Sequence, residues 1–378
     1  MSTKRRGHHE GSIRQRADGT WESRISLANG KRKSLYGKTR REVQAKMKEA
    51  QRDLDAGLDL ATGRQTMGQF MVHWLDDVAK PTIRPSTYAS YRSYVRVHIV
   101  PDLGHHSLSK LTPQHVQAFM AAKTAAGLAP RTVQYMRAIL RRALGQALKW
   151  GLVTRNVATL VDPPRSVRKP VQPLTADQAR TFLAAVADDR LGPLFHVAIT
   201  TGLRQGELFG LRWEDVDLAA GTLTVRHAMQ RVNGKRTLVE PKTALSQRTV
   251  TLPASTVAAF RVQRTRQRET QSLAGGRWQD WGLVFTSTIG TPLEPSNVRR
   301  RLHALLKTAG LPRQRFHDLR HCAASLLLAG NVAPRTIMGI LGHSQISLTM
   351  NTYAHLSPAL QHDAAVAMDA VLAVTETG

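Results

Sequence analysis

The spacing of hydrophobic and polar residues near the start of the chain is that of a small sheet. Within Trp21–Leu27 the odd-numbered positions can pack, while the even-numbered positions, Glu22 among them, are polar. Alternation of this kind is the period of a strand with one packed face. Asp18-Gly19 and Asn29-Gly30 on either side are hairpin-turn signals, because both turn positions favour positive φ. The pattern predicts a three-stranded meander over Ser12–Tyr36.

A helix is predicted directly after this meander. Thr39 is suited to cap its first turn, and Gly57 follows its end near Ala56. A stripe of apolar residues at helical spacing would cover one face of the sheet. The stripe consists of Val43, Met47, Ala50 and Leu54.

Helical periodicity continues in the next hundred residues, where four amphipathic helices are predicted. Ser86 is expected to cap the second helix, and Thr112 with Pro113 to open the third. The aromatic residues of the stripes are interpreted as core rather than as surfaces on which bases stack. The four stripes are Phe70, Trp74 and Val78; Tyr88, Tyr91, Val95 and Ile99; Val116, Phe119 and Met120; and Val133, Met136, Leu140, Ala143, Leu144, Ala147 and Leu148.

Four prolines within Asp162–Pro173 exclude helix and predict an extended linker. Thr175 and Gln178 are spaced as a capping box that starts a new helix. The remaining pattern predicts helices around a small sheet, so the chain is expected to be multidomain and mainly α, with small sheets and an α+β C-terminal domain. The predicted strands are Thr222–Arg226, Thr237–Glu240 and Arg248–Leu252. The predicted divisions are 1–63, 64–165, a linker at 166–173, and 174–378.

The charge of the chain is strongly positive throughout. It contains 54 Lys and Arg against 27 Asp and Glu, a net charge of +27. Residues 1–63, 64–168 and 169–378 carry about +7, +11 and +9, so a partner that touches the whole chain, a DNA duplex, explains the charge best. No long apolar run or basic amphipathic anchor supports a membrane-surface protein. The single cysteine, Cys322, excludes an internal disulfide framework, fits a reducing cytoplasm and is interpreted as a buried structural thiol.

Two groups of basic residues are predicted to contact DNA. Strands that expose arginine and lysine can lie in a DNA groove, and basic helix faces can contact phosphates. The alternative for the N-terminal group is a small basic domain that does not read bases. The predicted contacts are Arg14, Arg16, Arg24, Lys31, Arg32 and Lys33 in the first domain, and Arg131, Arg137 and Arg141 in the helical domain.

Several short motifs carry side chains suited to phosphate chemistry. His317-Asp318-Leu319-Arg320 is followed by Leu341-Gly342-His343-Ser344 and then by Tyr353-Ala354-His355. Upstream, Arg204 lies in Thr201–Leu208, and Lys242 lies in a predicted hairpin. Arginine binds phosphate oxygens in pairs, histidine moves protons near neutral pH, and a tyrosine oxygen can act as a covalent nucleophile. The combination suggests phosphoryl transfer onto a tyrosine.

Each of these side chains could instead have a purely structural role. Arg204 could pair with Glu207 one turn along its helix, and Arg320 with Asp318, as ordinary surface ion pairs. His317 could cap a helix or lie in the core, His343 could cap the end of a helix, and Tyr353 could be buried. Lys235 is the rival to Lys242 for the role of the lysine.

The order and surroundings of these motifs resemble those of the tyrosine recombinases, the phage-integrase family. The resemblance implies six catalytic residues: Arg204, Lys242, His317, Arg320, His343 and Tyr353. It implies a nucleophilic Tyr353, phosphate-binding arginines, His317 as proton acceptor, His343 as a phosphate ligand and Lys242 as the acid for the leaving oxygen. It also implies an N-terminal arm-site domain and a helical, SAM-like core-binding domain before the catalytic domain.

The same resemblance implies partners and a cellular setting. These are attachment-site DNA, a homotetramer on that DNA, and an accessory bending or directionality protein, in the cytoplasm of a host of a phage or mobile element. An apolar stripe from Leu360 to Leu372 predicts a tail helix that packs on its own domain or on a neighbouring protomer. Because His8-His9 and His105-His106 are adjacent pairs and no Gly-rich phosphate loop is present, neither a metal nor a nucleotide cofactor is expected. Two different functions stay open, a DNA-binding regulator and a type IB topoisomerase-like enzyme.

Overall fold

The computed structural model describes residues 12–26, 32–55, 65–166, 172–232, 234–240 and 247–342. The chain forms two compact units, Met1–Val167 and Arg168–Gly378. Both consist mostly of helices with small antiparallel sheets, as the sequence pattern predicted. No helix among the described residues combines the length and the apolar character needed to cross a bilayer.

The first unit begins with the predicted meander and helix. Its strands are β1 (Ser12–Gln15), β2 (Trp21–Ser26) and β3 (Arg32–Gly37), paired antiparallel in the order β1-β2-β3. Helix α1 (Arg40–Asp55) follows, and the backbone N–H of its third residue donates to the Thr39 hydroxyl as expected for a cap. The stripe on α1 packs on the sheet around the fully buried Ile25.

The polar face of this sheet differs from the prediction at one residue. Glu22 is 2% exposed, although its place in the alternation predicts a solvent-facing side chain. Its carboxylate accepts hydrogen bonds from Arg14 (2.8 Å), Arg24 (2.9 Å) and Ser34 (2.9 Å), which lie beside it on neighbouring strand positions. These charge-assisted bonds hold the pKa of Glu22 at about 2. The arginines therefore cover the carboxylate and remove it from water.

The rest of the first unit is helical and has its own core around the fully buried Trp74 and Phe70. Two predictions were wrong in detail. Ser86 lies inside its helix, because Pro85 occupies the first turn and Arg84 is the capping residue. Leu148 is 43% exposed, because the buried stripe ends at Ala147. The helices are α2 (Met67–His73), continued as a π-helical segment (Trp74–Ala79) and Lys80–Thr82; α3 (Pro85–Tyr94), continued through Val95–Ile99 and Val100–Leu103; α4 (Pro113–Ala125); and α5 (Pro130–Lys149).

The second unit starts at the predicted capping box, where Thr175 and Gln178 bond to each other's backbone N–H groups. Its helices surround a core that includes Phe182, Phe195, Phe209 and Phe260. The helices are α6 (Ala176–Ala185), α7 (Gly192–Thr201), α8 (Gln205–Phe209), α9 (Ala254–Ala274), α10 (Pro295–Thr308), α11 (Phe316–Ala329) and α12 (Pro334–Leu341).

The strands of the second unit form two sheets rather than the single predicted one. One sheet has the order β4-β5-β8, and the other is the hairpin β6-β7. The predicted second strand pairs with β6, a strand that the sequence pattern did not predict. The strands are β4 (Val216–Asp217), β5 (Thr222–Val225), β6 (Ala228–Val232), β7 (Lys235–Val239) and β8 (Arg248–Thr251). Consequently the strands on either side of Lys242 do not pair with each other, which contradicts the hairpin predicted there.

Candidate active site

Arg204 lies in the short turn between two helices. Helix α7 ends at Gly202, whose φ of 62° is left-handed, and α8 begins directly after Arg204. A Cβ atom at Gly202 would lie 2.4 Å from the side chain of Leu341, so only glycine permits this approach of α12. The turn therefore places Arg204 beside the end of α12.

The guanidinium of Arg204 has two partners across this junction. Its Nη1 donates to Glu207 Oε1 at 2.7 Å, and its Nη2 donates to the carbonyl oxygen of Gly342 at 2.7 Å. The second carboxylate oxygen of Glu207 accepts the backbone N–H of Arg204 at 3.0 Å. The Arg204–Glu207 pair, which was the purely structural alternative, is thus present, and it also fixes the first turn of α8. Since the Arg204 side chain is 38% exposed, it remains accessible from solvent.

Arg320 lies in the second turn of α11 and is 3% exposed. Its Nη1 donates to the carbonyl of Gly202 at 2.7 Å, and its Nη2 donates to the carbonyl of Leu341 at 2.6 Å. The alternative pairing with Asp318 is wrong, because Asp318 binds Arg315 instead. Arg320 therefore joins the end of α7 to the end of α12.

A third arginine completes this arrangement. Arg248 at the start of β8 donates from Nε to the carbonyl of Ile340 at 2.6 Å, and from Nη2 to Glu207 at 3.0 Å. Arg248, Arg320 and Arg204 thus bind three consecutive carbonyls, those of Ile340, Leu341 and Gly342. The last carbonyls of a helix have no partner within it, so these guanidinium groups supply the missing donors.

Two arginines of this cluster, Arg204 and Arg248, share the carboxylate of Glu207. Burial alone would raise the pKa of Glu207, but Arg248 and Arg204 outweigh that effect and hold the pKa below its usual value. Glu207 is therefore ionised at neutral pH. The three guanidinium groups and the one carboxylate of this cluster leave a net positive charge, which a phosphate site requires.

His317 lies in the first turn of α11, three residues before Arg320, at an exposed position. Although its side chain is partly exposed, the packed part of the ring is desolvated, and with the neighbouring His321 and Arg320 this lowers the pKa of His317 to about 4. His317 is not a core histidine, and Arg315 rather than His317 is the capping residue of α11. The imidazole is neutral at pH 7 and can accept a proton.

The lowered pKa of His317 predicts a pH dependence of stability. The unfolded chain takes up a proton near the ordinary value of 6.5, whereas the folded chain does so only near pH 4. The free energy of unfolding should therefore fall as the pH drops from about 6.5 to about 4. His317→Gln removes this titration, so its thermal midpoint between pH 7 and pH 4.5 should decline less than that of the wild type. Parallel curves for the two proteins would contradict the prediction.

Three of the six predicted catalytic residues lie outside the described residues: Lys242, His343 and Tyr353. Their neighbours are described, since β7 precedes the segment of Lys242, β8 follows it, and Gly342 directly precedes His343. Lys235, the rival to Lys242, is exposed at the first position of β7. The tail stripe from Leu360 to Leu372 and the predicted contact Lys31 also lie outside the described residues.

The basic residues predicted to contact DNA differ in their exposure and in the partners that they already bind. Arg14 and Arg24 bind Glu22, Arg16 lies over the ring of Tyr36, and Arg137 is half-buried. Arg131 and Arg141 are exposed on α5. In β3, Arg32 is exposed and Lys33 is half-buried.

The thiol of Cys322 has the expected character. Cys322 is fully buried, and burial raises the pKa of its thiol to about 12, which suits a structural residue. Within the described part of the chain, no group of three or more His, Cys, Asp or Glu is arranged to hold a metal ion.

Arg248 is the residue of this cluster for which the sequence predicted no role. A signal for it was present, because Arg248 and Val250 lie two positions apart on one face of β8, and Val250 is buried. An arginine on the buried face of a strand requires partners, since an unpaired buried charge is strongly unfavourable.

Comparisons with known proteins show the family to which the chain belongs. Residues 172–359 match the model of the phage integrase family, and residues 66–123 match the N-terminal SAM-like domain of phage integrases. A tyrosine recombinase XerC-like protein of Caldanaerobacter subterraneus subsp. tengcongensis is 31% identical over 351 residues, covering 87% of this chain and 90% of that protein. An integrase of Streptomyces ambofaciens is 31% identical over 390 residues, covering 95% and 97%.

Solved structures share the fold at lower identity. The Tn1549 transposon integrase in complex with transposon right end DNA aligns with a TM-score of 0.69 and 21% identity, covering 82% of this chain and 100% of that one. A lambda integrase tetramer bound to a Holliday junction aligns with a TM-score of 0.57 and 21% identity, covering 92% and 96%. On this evidence the chain belongs to the phage integrase family of tyrosine recombinases, enzymes that cleave and rejoin DNA.

Proposed function

We propose that this enzyme cuts each DNA strand with Tyr353 and keeps the cut end as a 3′-phosphotyrosyl ester. The tyrosine oxygen forms a bond to the scissile phosphorus as the bond to the 5′ oxygen breaks. A 5′-hydroxyl from a partner duplex then reverses the step and releases Tyr353. Because the ester conserves the energy of the phosphodiester, strand exchange needs no nucleotide.

The observation that carries this proposal is the convergence of Arg204 and Arg320. They come from helices more than a hundred residues apart in the chain, yet they donate to the adjacent carbonyls of Gly342 and Leu341. Both therefore lie next to the segment that leads to His343. Preorganised guanidinium groups of this kind stabilise charge that develops on phosphate oxygens in a transition state. We assign the two non-bridging oxygens to Arg204 and Arg320, and a further phosphate contact to His343.

Proton transfer is assigned to His317 and Lys242. The neutral His317 accepts the phenolic proton of Tyr353 as the new bond to phosphorus forms. The imidazole is unprotonated at neutral pH, as a proton acceptor must be. Lys242 donates a proton to the departing 5′ oxygen. The step is balanced, with one proton removed from tyrosine and one supplied to the leaving group.

A basic groove in the second unit supports a nucleic acid as the partner. It has a volume of about 1220 Å³, and its lining includes Arg315 and Asp318 at the start of α11. Arginines at such a surface neutralise phosphates and release counterions, which favours nucleic acid binding. Its basic lining residues are Arg299, Arg300, His303, Arg313 and Arg315.

The wider setting is proposed from the family. We assign residues 1–63 to arm-site DNA, 64–165 to core-site DNA and 174–378 to catalysis, with 166–173 as a linker. The lambda tetramer on a Holliday junction supports a tetrameric assembly here, with attachment-site DNA and an accessory bending or directionality protein as partners. The element to be integrated or excised is a phage genome or another mobile element, and the reaction takes place in the cytoplasm of its host.

Covalent capture tests the proposal directly. The DNA probe is a labelled duplex that carries the element's own junction sequence, with a nick beside the scissile phosphate so that the short product diffuses away. The expected result is a labelled band that survives denaturation and disappears after protease treatment. Binding without any protein-linked DNA would contradict the proposed chemistry.

A DNA substrate with sulfur in place of the 5′ leaving oxygen tests whether Lys242 is the acid. Lys242→Ala should fail to cleave ordinary DNA but should cleave a duplex whose 5′ leaving atom is sulfur, because a thiolate leaves without needing a proton. Lys235→Ala is the matched control and should cleave both substrates. If Lys242→Ala loses cleavage of both substrates equally, Lys242 is a phosphate contact and not the acid. If instead Lys235→Ala cleaves only the sulfur substrate, Lys235 is the acid.

A further inference from the structure

Arg248 joins three segments of the second unit. It stands at the start of β8, and its side chain is 7% exposed. The guanidinium spans Glu207 in α8, at 3.0 Å, and the carbonyl of Ile340 near the end of α12, at 2.6 Å. None of the proposed steps uses this residue, although it shares Glu207 with Arg204.

The guanidinium of Arg248 also lies against the turn that leads to His343. Gly342 has a left-handed φ of 64° and ends α12. A Cβ atom at Gly342 would be 2.9 Å from Nη1 of Arg248. Since the backbone approaches the flat guanidinium this closely, the direction in which the chain leaves α12 depends on where Arg248 lies.

Arg248 changes the electrostatics of the site as well. With Arg204 alone, the carboxylate of Glu207 would form a neutral ion pair, and the attraction of Arg204 for a phosphate would be weakened. Because Arg248 shares Glu207, the cluster of Arg204, Arg248, Arg320 and Glu207 carries a net charge of +2 instead of +1. Because Arg248, Glu207 and Arg320 are buried, one unit of charge here has a large effect on an anionic transition state.

We propose that Arg248 is a positioning residue for phosphoryl transfer. It fixes the exit from α12 that carries His343, and it balances Glu207 so that the charge of Arg204 stays available to the phosphate. This inference rests on the proposed function. It assigns to Arg248 no contact with DNA, so its effect should be on the rate of cleavage and not on affinity.

Variants of Arg248 separate these effects. Arg248→Gln should lower the single-turnover rate of adduct formation on the nicked junction duplex by about 100-fold, the size of effect that misplaced reacting groups produce. The dissociation constant should change far less, because many other phosphate contacts carry affinity. Arg248→Lys keeps the charge but cannot span both partners, so its rate should lie between those of Arg248→Gln and the wild type.

A double variant tests whether Arg248 acts through Glu207. In a Glu207→Gln background there is no carboxylate to balance, so Arg248→Gln should lower the cleavage rate by a smaller factor than it does in the wild type. An equal fold loss of cleavage rate in both backgrounds would overturn the electrostatic half of the proposal. Amide exchange of residues 334–342, measured without DNA, should be faster in Arg248→Gln, and unchanged exchange would overturn the positioning half.

Three further results would distinguish a failure of this proposal from a failure of the proposed function. Cleavage by Arg248→Gln at the wild-type rate would overturn the whole proposal. Should that variant fail to fold, Arg248→Lys carries the test, and a wild-type rate in it is the contradictory result. A wild-type protein that binds the duplex but forms no adduct would be a failure of the proposed function instead, and the exchange measurement is independent of it.

Discussion

Tyr353→Phe should bind its DNA site with near-normal affinity and form no covalent adduct at all. The substitution removes a single hydroxyl oxygen, so contacts with the duplex are kept while the nucleophile is lost. Affinity can be followed by fluorescence anisotropy, and the adduct by denaturing electrophoresis of labelled DNA before and after protease treatment.

The matched control for this experiment is Tyr135→Phe, which changes another tyrosine by the same single atom. Tyr135 packs against the core of the first unit, in contact with the rings of Tyr91 and Tyr94. The control should form adduct at the wild-type rate. Protease-sensitive, protein-linked DNA in Tyr353→Phe would show that Tyr353 is not the nucleophile.

Arg320→Gln should show the second-largest effect, on both catalysis and stability. Loss of a preorganised phosphate donor lowers the cleavage rate by about 100- to 1000-fold. The same change removes the donor from two carbonyls, those of Gly202 and Leu341. A hydrogen bond to a charged group contributes about 1.5–3 kcal/mol, so a clear drop in the free energy of unfolding should accompany the loss of activity.

Denaturant unfolding and single-turnover cleavage measure these two effects separately. Arg335→Gln is the control, because Arg335 lies exposed on α12 and its loss should leave stability unchanged. Arg320→Lys should remain slow, since an amine cannot donate to both carbonyls in the geometry of the guanidinium. An Arg320→Gln variant with wild-type stability would show that the two carbonyl contacts contribute little.

The sequence predicted the helices well, because long amphipathic patterns have few competing interpretations. Two of the predictions that were wrong concern places where a neighbouring residue carries the decisive local signal. Strand β6 was overlooked although Asn233-Gly234, a hairpin-turn pair, stands directly between β6 and β7. Ser86 was predicted as a cap although Pro85 already fixes the first helical turn.

The site itself was predictable in its residue types but not in its contacts. The motifs around Arg204 and Arg320 predicted phosphate chemistry, yet nothing local to them indicates that both bind the end of α12. Those contacts join residues 138 and 21 positions apart and exist only once the helices have packed. For the same reason Arg248 was predicted only as the first residue of a strand.

The buried Glu22 has a consequence for how ionic strength affects the first unit. Arg14 and Arg24 already share this carboxylate, and their side chains are 58% and 43% exposed. An arginine that already shares a carboxylate neutralises a phosphate less completely, so fewer of the cations condensed on the DNA are released. Each neutralised phosphate contributes about −0.9 to the slope of log affinity against log salt. A duplex on this sheet face should therefore show a shallower slope than the number of arginines implies, and Glu22→Gln should steepen it.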